Sequence, residues 1–292
     1  MQSTVVVGYD QTPHSERALV EAAREATWRG ASLVVVNAYA FTSMPTATPV
    51  PYVPIAHNET IQQVAAEIAE HGAEIVRSRF PAVPVESKVF SGVPGYSLAT
   101  AARAADLLVV GNRGRGGFAG LLLGSVSMRA LTESCVPTMV VRGQERDPQG
   151  VVLAAVDIEQ PADDLLDFAF AEASRRGARL EAVTAWDMSW AADYAGDSEE
   201  VRRATDQATA DLDAALDALV HTWSAKYPDV QATHRVADGT PPAVLTEASR
   251  HADLLVVGAR HHGDGRHGMR VGPVGHSVLH HADCPVVVVP RD

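Results

Sequence analysis

The sequence predicts two tandem α/β domains, each a doubly wound, mostly parallel sheet of five strands, in a chain of 292 residues. The first observation behind this is an internal repeat. Val5-Val6-Val7-Gly8-Tyr9-Asp10 returns as Val152-Leu153-Ala154-Ala155-Val156-Asp157, Gly92-Val93-Pro94 as Gly239-Thr240-Pro241, and Ala105-Asp106-Leu107-Leu108-Val109-Val110-Gly111 as Ala252-Asp253-Leu254-Leu255-Val256-Val257-Gly258. Each pair is offset by 147 positions, which marks duplication of a whole domain-sized unit. The second observation is that short apolar runs alternate with longer amphipathic stretches throughout both copies. Such alternation implies a sheet wound with right-handed crossovers.

The elements follow in order. In the first copy strands are expected at 4–9, 32–39, 84–90, 106–111 and 137–142. The unbroken runs Val34-Val35-Val36 and Leu107-Leu108-Val109-Val110 suit strands buried on both faces. Helices fit 14–29, 59–79, 95–103 and 125–133. Pro13 suits a first helical turn behind Thr12, and Gly30 suits the position just past the end. The second copy repeats the pattern, with strands at 151–156, 179–186, 230–236, 253–258 and 286–289. The expected division is 1–143 for the first domain, 144–150 for a linker and 151–292 for the second. Residues 41–57 carry Pro45, Pro49, Pro51 and Pro54 and interrupt the rhythm. A flap over a site and an insertion without a role are equally compatible with them. Their counterpart at 187–198 is more acidic and contains Trp190 and Tyr194.

Composition narrows the function classes. At 46% hydrophobic and 21% charged residues, each half can bury its own core. No apolar run is long enough to span a bilayer, and the opening residues enter a strand pattern directly, so a cytoplasmic protein without membrane contact is expected. Cys135 and Cys284 do not occupy equivalent positions and are expected to be reduced thiols. A net charge of −12 argues against a nucleic-acid partner. A phosphate ligand would therefore be held by backbone N–H groups and a few local arginines.

The first copy offers such a place. If the strand order is flavodoxin-like (3-2-1-4-5, as in Rossmann-like sheets), the winding reverses between the first and fourth strands, and ligands bind there. Asp10 ends the first strand, and a loop with Gly111, Gly114, Gly116 and Gly117 ends the fourth. These glycines permit close backbone approach. Gly124-Ser125 opens the next helix, whose free N–H groups and dipole favour an anion; the Ser125 hydroxyl adds a donor, and Arg113 and Arg115 add positive charge. The pattern is neither a Walker loop, since Gly-Lys-Ser and Gly-Lys-Thr do not occur, nor the dinucleotide fingerprint, since the glycines follow the fourth strand.

Together, Gly-x-Asp after the first strand, Gly-x-Pro before the third helix, Ala-Asp-Leu-Leu-Val-Val-Gly, Gly-x2-Gly-x9-Gly-Ser and a closing Pro-Val-Val-type strand resemble the universal stress protein family. The resemblance spans essentially the whole chain as a tandem pair. It implies a five-stranded parallel α/β fold and membership of the ATP-binding branch, whose glycine pattern Gly111, Gly114, Gly124 and Ser125 match. It further implies that Asp10 faces the ribose or a phosphate-bound magnesium ion, that the Ala38 backbone meets adenine, and that the loop and Ser125 hold the phosphates. Pairing through the last strand of each copy, within one chain or in a homodimer, is also implied.

The second copy departs from this pattern. Ala155 replaces Gly8, His261 replaces the loop glycine Gly114, and Pro273 replaces Ser125 and removes an N–H donor. Gly263 and Gly265 could shift the loop, but an empty or weaker site is expected. Six of the 12 histidines lie between His261 and His281, which reads as a polar loop and helix end rather than a metal centre. The expected function is ATP binding in a stress or regulatory role with little or no turnover, since no catalytic base or arginine finger faces the phosphates. The alternatives are an adenylating enzyme of the adenine-nucleotide α-hydrolase class, whose phosphate loop generally follows the first strand, and a dimerisation module without ligand.

Overall fold

The computed structural model describes residues 3–40, 56–114, 123–144, 147–187, 198–261 and 268–291. The chain forms two compact units that divide between Val141 and Arg142.

The first unit runs β1 (Thr4–Gly8), α1 (Pro13–Arg29), β2 (Ser32–Tyr39), α2 (Ala56–Arg79), β3 (Val85–Ser91), α3 (Pro94–Ala101), β4 (Leu107–Gly111), α4 (Ser125–Glu133) and β5 (Thr138–Val141). Its strands are parallel and ordered β3-β2-β1-β4-β5. The winding reverses between β1 and β4: Val5, Val6 and Val7 pair with Leu33, Val34 and Val35 on one side and with Leu107, Leu108 and Val109 on the other. All nine of these residues are buried, as strands covered by helices on both faces require.

Local chemistry sets the boundaries. Thr12 and Ser15 form a reciprocal capping box at the start of α1, and Gly30 ends it in the left-handed region at φ 59°. α2 begins three residues earlier than expected, and α3 is shorter, running from Pro94 to Ala101 instead of 95–103. The Gly-x-Pro motif is a backbone requirement: Gly92 has φ +131°, and Pro94 then occupies the first turn of α3.

The second unit runs β6 (Val151–Ala155), α5 (Asp163–Arg176), β7 (Arg179–Trp186), α6 (Glu199–Lys226), β8 (Ala232–Asp238), α7 (Pro241–Ala248), β9 (Leu254–His261), β10 (Met269–Arg270), α8 (Pro273–His281) and β11 (Val286–Arg291). The parallel strands follow the same order, β8-β7-β6-β9-β11.

Repeated residues perform repeated tasks. Asp106 Oδ2 accepts from the Thr4 N–H at 2.7 Å and from Ser3 Oγ at 2.8 Å; Asp253 accepts from the N–H groups of Gln149 and Val151. The aspartate of Ala-Asp-Leu-Leu thus fastens the start of each unit's first strand. Glu25 and Glu172 are fully buried and pair with Arg29 and Arg176 one helical turn on. Gly239, at φ +122°, repeats Gly92.

The units differ where the glycine motif fails. β9 extends to His261, beyond the 253–258 expected, because it acquires an antiparallel partner that the sequence pattern did not reveal. Met269 pairs with His261 and Arg270 with Arg260. α5 starts at Asp163, whereas the residue repeating Pro13 is Gln160, so the helix lacks a first turn and Ala162 supplies no side-chain cap. Among the described residues, no helix is long and apolar enough to cross a membrane.

Candidate functional site

The carboxyl ends of β1 and β4 bring together the two motifs that lie about 100 residues apart. The deciding contact is between Gly114 and Asp10. A β-carbon built on Gly114 would lie 2.9 Å from Asp10 Oδ2, closer than side-chain carbons approach such an atom. The carboxylate is itself held in place, because its Oδ1 accepts from the Thr12 N–H at 3.1 Å and from Thr12 Oγ1 at 2.7 Å. The Asp10 N–H meets Ser15 Oγ at 3.2 Å. Between them Gln11 adopts φ 63°, rare for a residue other than glycine, and makes the sharp exit from β1.

The remainder of the glycine motif is packed just as closely. A β-carbon on Gly111 would lie 2.7 Å from the His14 carbonyl oxygen. The Gly111 carbonyl accepts from Ser127 Oγ at 2.6 Å, and the Gly124 N–H donates to the Asn112 carbonyl at 2.7 Å. Gly124 is the N-cap of α4 and offers no side chain, so among the described residues no side-chain cap closes the start of α4, and Ser125 stands exposed at its first position. Arg113 lies beside Gly124. Its Nε and the Asn112 Oδ1 are buried without hydrogen-bond partners among the described residues. Arg115, Gly116 and Gly117 lie outside the described residues, as do 41–55 of the proline-rich segment.

Ala38 occupies the other wall. β1 pairs with β2 only as far as Gly8 and Val36, and the Tyr9 N–H donates to the Val36 carbonyl. Backbone groups alternate sides along a strand, so Ala38, two residues on, directs its N–H and C=O to the same side, past the end of β1. Tyr39 faces the other way and accepts from the Gly92 N–H. The buried Asn37 carboxamide donates to the Tyr9 carbonyl at 2.8 Å and fixes this end of β2.

Two neighbours escaped the sequence reading. His14 sits on the first turn of α1 with its Nδ1 2.7 Å from Arg17 Nη2. Burial, followed by Arg17 and Arg113, holds its imidazole below the usual range, while Asn112 and Asp10 pull it upward. His14 belongs to no recognisable motif, and only the pairing of β1 with β4 places it at the glycine loop; Asn112 lies within the loop itself, at an unspecified position between Gly111 and Gly114.

The profile of the universal stress protein family matches residues 1–142 and again 150–290. The chain belongs to the universal stress protein family. A universal stress protein of Mycolicibacterium smegmatis is 30% identical over 295 residues, covering 98% of this chain and 96% of its own. One from Mycobacterium tuberculosis is 31% identical, covering 97% and 95%. The crystal structure of a universal stress protein from Archaeoglobus fulgidus superposes with a TM-score of 0.72 over the whole of both chains at 21% identity, a likeness of fold.

In the second universal stress unit the corresponding place is built differently. Asp157 is exposed and accepts from the Glu159 N–H at 3.2 Å. Gly258 meets side chains where Gly111 meets helix backbone: a β-carbon there would lie 3.3 Å from Arg291 Cδ and 3.5 Å from Leu165 Cδ1 in the first turn of α5. His261 is part of β9, and Pro273 opens α8 behind Gly272. His262, Gly263, Gly265 and His267 lie outside the described residues. On α8 the rings of His276 and His280 stack at 4.6 Å, but among the described residues no three His, Cys, Asp or Glu side chains are placed to hold a metal.

Proposed function

We propose that the first unit binds an adenine nucleotide, with ATP the favoured form, in a stress-response or regulatory role with little or no turnover. The observation that carries the reading is the approach of Gly114 to Asp10, which leaves a backbone cradle where a side chain would intrude. The residues present fit such a ligand. N–H groups of the loop and of α4, with the Ser125 hydroxyl, suit the phosphates. Arg113, and Arg115 with Gly116 and Gly117 from the rest of the loop, would complete that cradle. The Ala38 N–H and C=O suit a base edge, and Asp10 suits a ribose or a phosphate-bound magnesium ion.

The adenylating alternative needs its phosphate loop after β1. There the Thr12 N–H is bound to Asp10 and the Ser15 N–H to Thr12 Oγ1, so the start of α1 is already capped by the chain's own side chains. This favours the loop after β4. We assign binding to 1–143, a linker role to 144–150, and a weaker or absent nucleotide site to 151–292. Association of two chains through a closing strand belongs to the same proposal and is checked by sedimentation at micromolar protein.

The test is to identify nucleotide released from the purified, denatured protein and to titrate the full chain with ATP at neutral or mildly alkaline pH. One ATP per chain is expected. Failure to bind any adenine nucleotide overturns the reading, pyrophosphate release with a co-substrate supports the adenylating alternative, and two ATP per chain overturns the assignment to the first unit.

A further inference from the structure

The second unit carries a row of arginines that its sheet register explains and its other contacts do not satisfy. Arg260 on β9 is the register partner of Arg270 on β10 and also of Arg291 on β11. Residues directly in register on neighbouring strands project to the same face, and neighbouring strands are about 5 Å apart. Three guanidinium side chains therefore leave one face of three adjacent strands side by side. Like charges directly opposite one another destabilise a sheet pair. The chain as a whole has a net charge of −12, so this concentration of positive charge runs against its composition.

Little within the described residues neutralises the row. Arg260 is exposed and its Nη2 meets the neutral Gln160 Oε1 at 2.5 Å. Arg270 is exposed. Arg291 packs its stem on Gly258, and its Nε is buried without a hydrogen-bond partner among the described residues. Burial pushes its guanidinium below the usual value, Asp157 opposes that, and Arg260 adds to it. None of the three arginines has an ion pair among the described residues. Among the described residues, Asp157 is the acid whose charge bears on Arg291.

The contrast with the first unit shows what has changed. Arg260 repeats Arg113 at the same offset, but β4 ends at Gly111 and, among the described residues, has no antiparallel partner, and β5 carries no arginine. Relative to the described residues of the first unit, the second has an extended fourth strand, the additional β10 and a last strand prolonged to Arg291. Each addition brings one arginine into the row. The missing first turn of α5 leaves room on that face for the Arg291 side chain, where in the first unit Gly111 packs on His14.

We propose that Arg260, Arg270 and Arg291 form a side-chain anion site for a small ligand carrying two or more phosphoryl groups. Guanidinium forks match phosphoryl oxygens in a bidentate manner, and a row of three spans more than one phosphoryl group. The second unit thus replaces a backbone cradle with fixed positive charge, and the site is independent of the nucleotide site proposed for the first.

The test uses the full chain carrying Gly114→Val, which removes the proposed first-unit cradle, titrated calorimetrically with inorganic pyrophosphate at neutral pH. Binding of one pyrophosphate per chain is expected, weakening as salt is raised. Adding Arg270→Gln should lower the affinity at least about tenfold, because an arginine–phosphoryl pair is a charge-assisted hydrogen bond. Arg270 lies exposed on a strand of two residues, so this variant should fold, which thermal unfolding verifies. A second variant, Arg260→Gln, should show the same loss. Absence of pyrophosphate binding in the Gly114→Val chain, or unchanged affinity in both arginine variants, overturns the proposal. If ATP also fails to bind the wild-type chain while pyrophosphate binds here, the first-unit reading falls and this one stands.

Discussion

Replacing Gly114 by alanine adds one carbon at the point where the two motifs of the first unit meet. That carbon would lie 2.9 Å from Asp10 Oδ2, so either the loop or the carboxylate must move. The backbone of Gly114 is not in the left-handed region, so the substitution carries no intrinsic strain and tests the contact alone. Movement of the carboxylate threatens the bonds that Thr12 N–H and Oγ1 make to Oδ1 at 3.1 and 2.7 Å. Loss of one hydrogen bond to a charged group costs about 1.5–3 kcal/mol, which sets the expected destabilisation of the first unit. If the loop moves instead, the cradle shifts and ATP affinity falls at least about tenfold, the equivalent of about 1.4 kcal/mol. Calorimetry with ATP and urea unfolding, run on the same preparations, separate the two responses. Gly272→Ala is the control, because nothing lies within 4 Å of the added carbon there. Should Gly114→Ala match wild type in both assays while Gly272→Ala does the same, Gly114 does not rest against Asp10 and the site as drawn is wrong. Reduced stability with no ATP binding by wild type would leave the geometry intact and remove the ligand.

Three further outcomes are expected. Arg29→Ala strands the fully buried Glu25 carboxylate and should destabilise the first unit by about 3–5 kcal/mol in urea unfolding, whereas Glu25→Met with Arg29→Leu should stay much closer to wild type. Gly92→Ala places a β-carbon on a residue at φ +131° and should cost about 1–3 kcal/mol, read from the same transition. In the second unit, burial acts to raise the Asp167 pKa but is outweighed by hydrogen bonds from Lys226 and Tyr227, which hold it below 3.8. The stabilisation from a depressed carboxylate is complete above its unfolded value of about 3.9 and is lost as pH falls through the folded value. Urea midpoints measured from neutral to acid pH should therefore fall more steeply for wild type than for Asp167→Asn; equal slopes would show that this carboxylate does not contribute.

The sequence by itself determined the duplication, the alternation of elements and the places where backbone geometry demands a residue type. Those features are local. Val34-Val35-Val36 and Leu107-Leu108-Val109-Val110 read as doubly buried strands because the runs are short and rich in β-branched valine, Gly30 reads as a helix end, and Pro94 as a first turn. The candidate site was legible as two motifs, Asp10 and the glycine loop, because each sits at the end of a strand of a recognisable kind. That they face one crevice followed from the expected strand order 3-2-1-4-5, which places the fourth strand beside the first; the close approach of Gly114 to Asp10 was not legible, since it depends on the path of the loop beyond the strand. His14 was hidden because only tertiary packing brings the start of α1 against Gly111, and Asn112, although inside the loop, occupies a position the motif leaves unspecified. The divergence of the second copy showed in the sequence only as lost glycines, His261 and Pro273 standing where the first copy has Gly114 and Ser125. That the lost loop becomes an antiparallel pair, and that Arg260, Arg270 and Arg291 then fall into one row, was decided by tertiary structure alone, because register between strands fixes which distant side chains share a face.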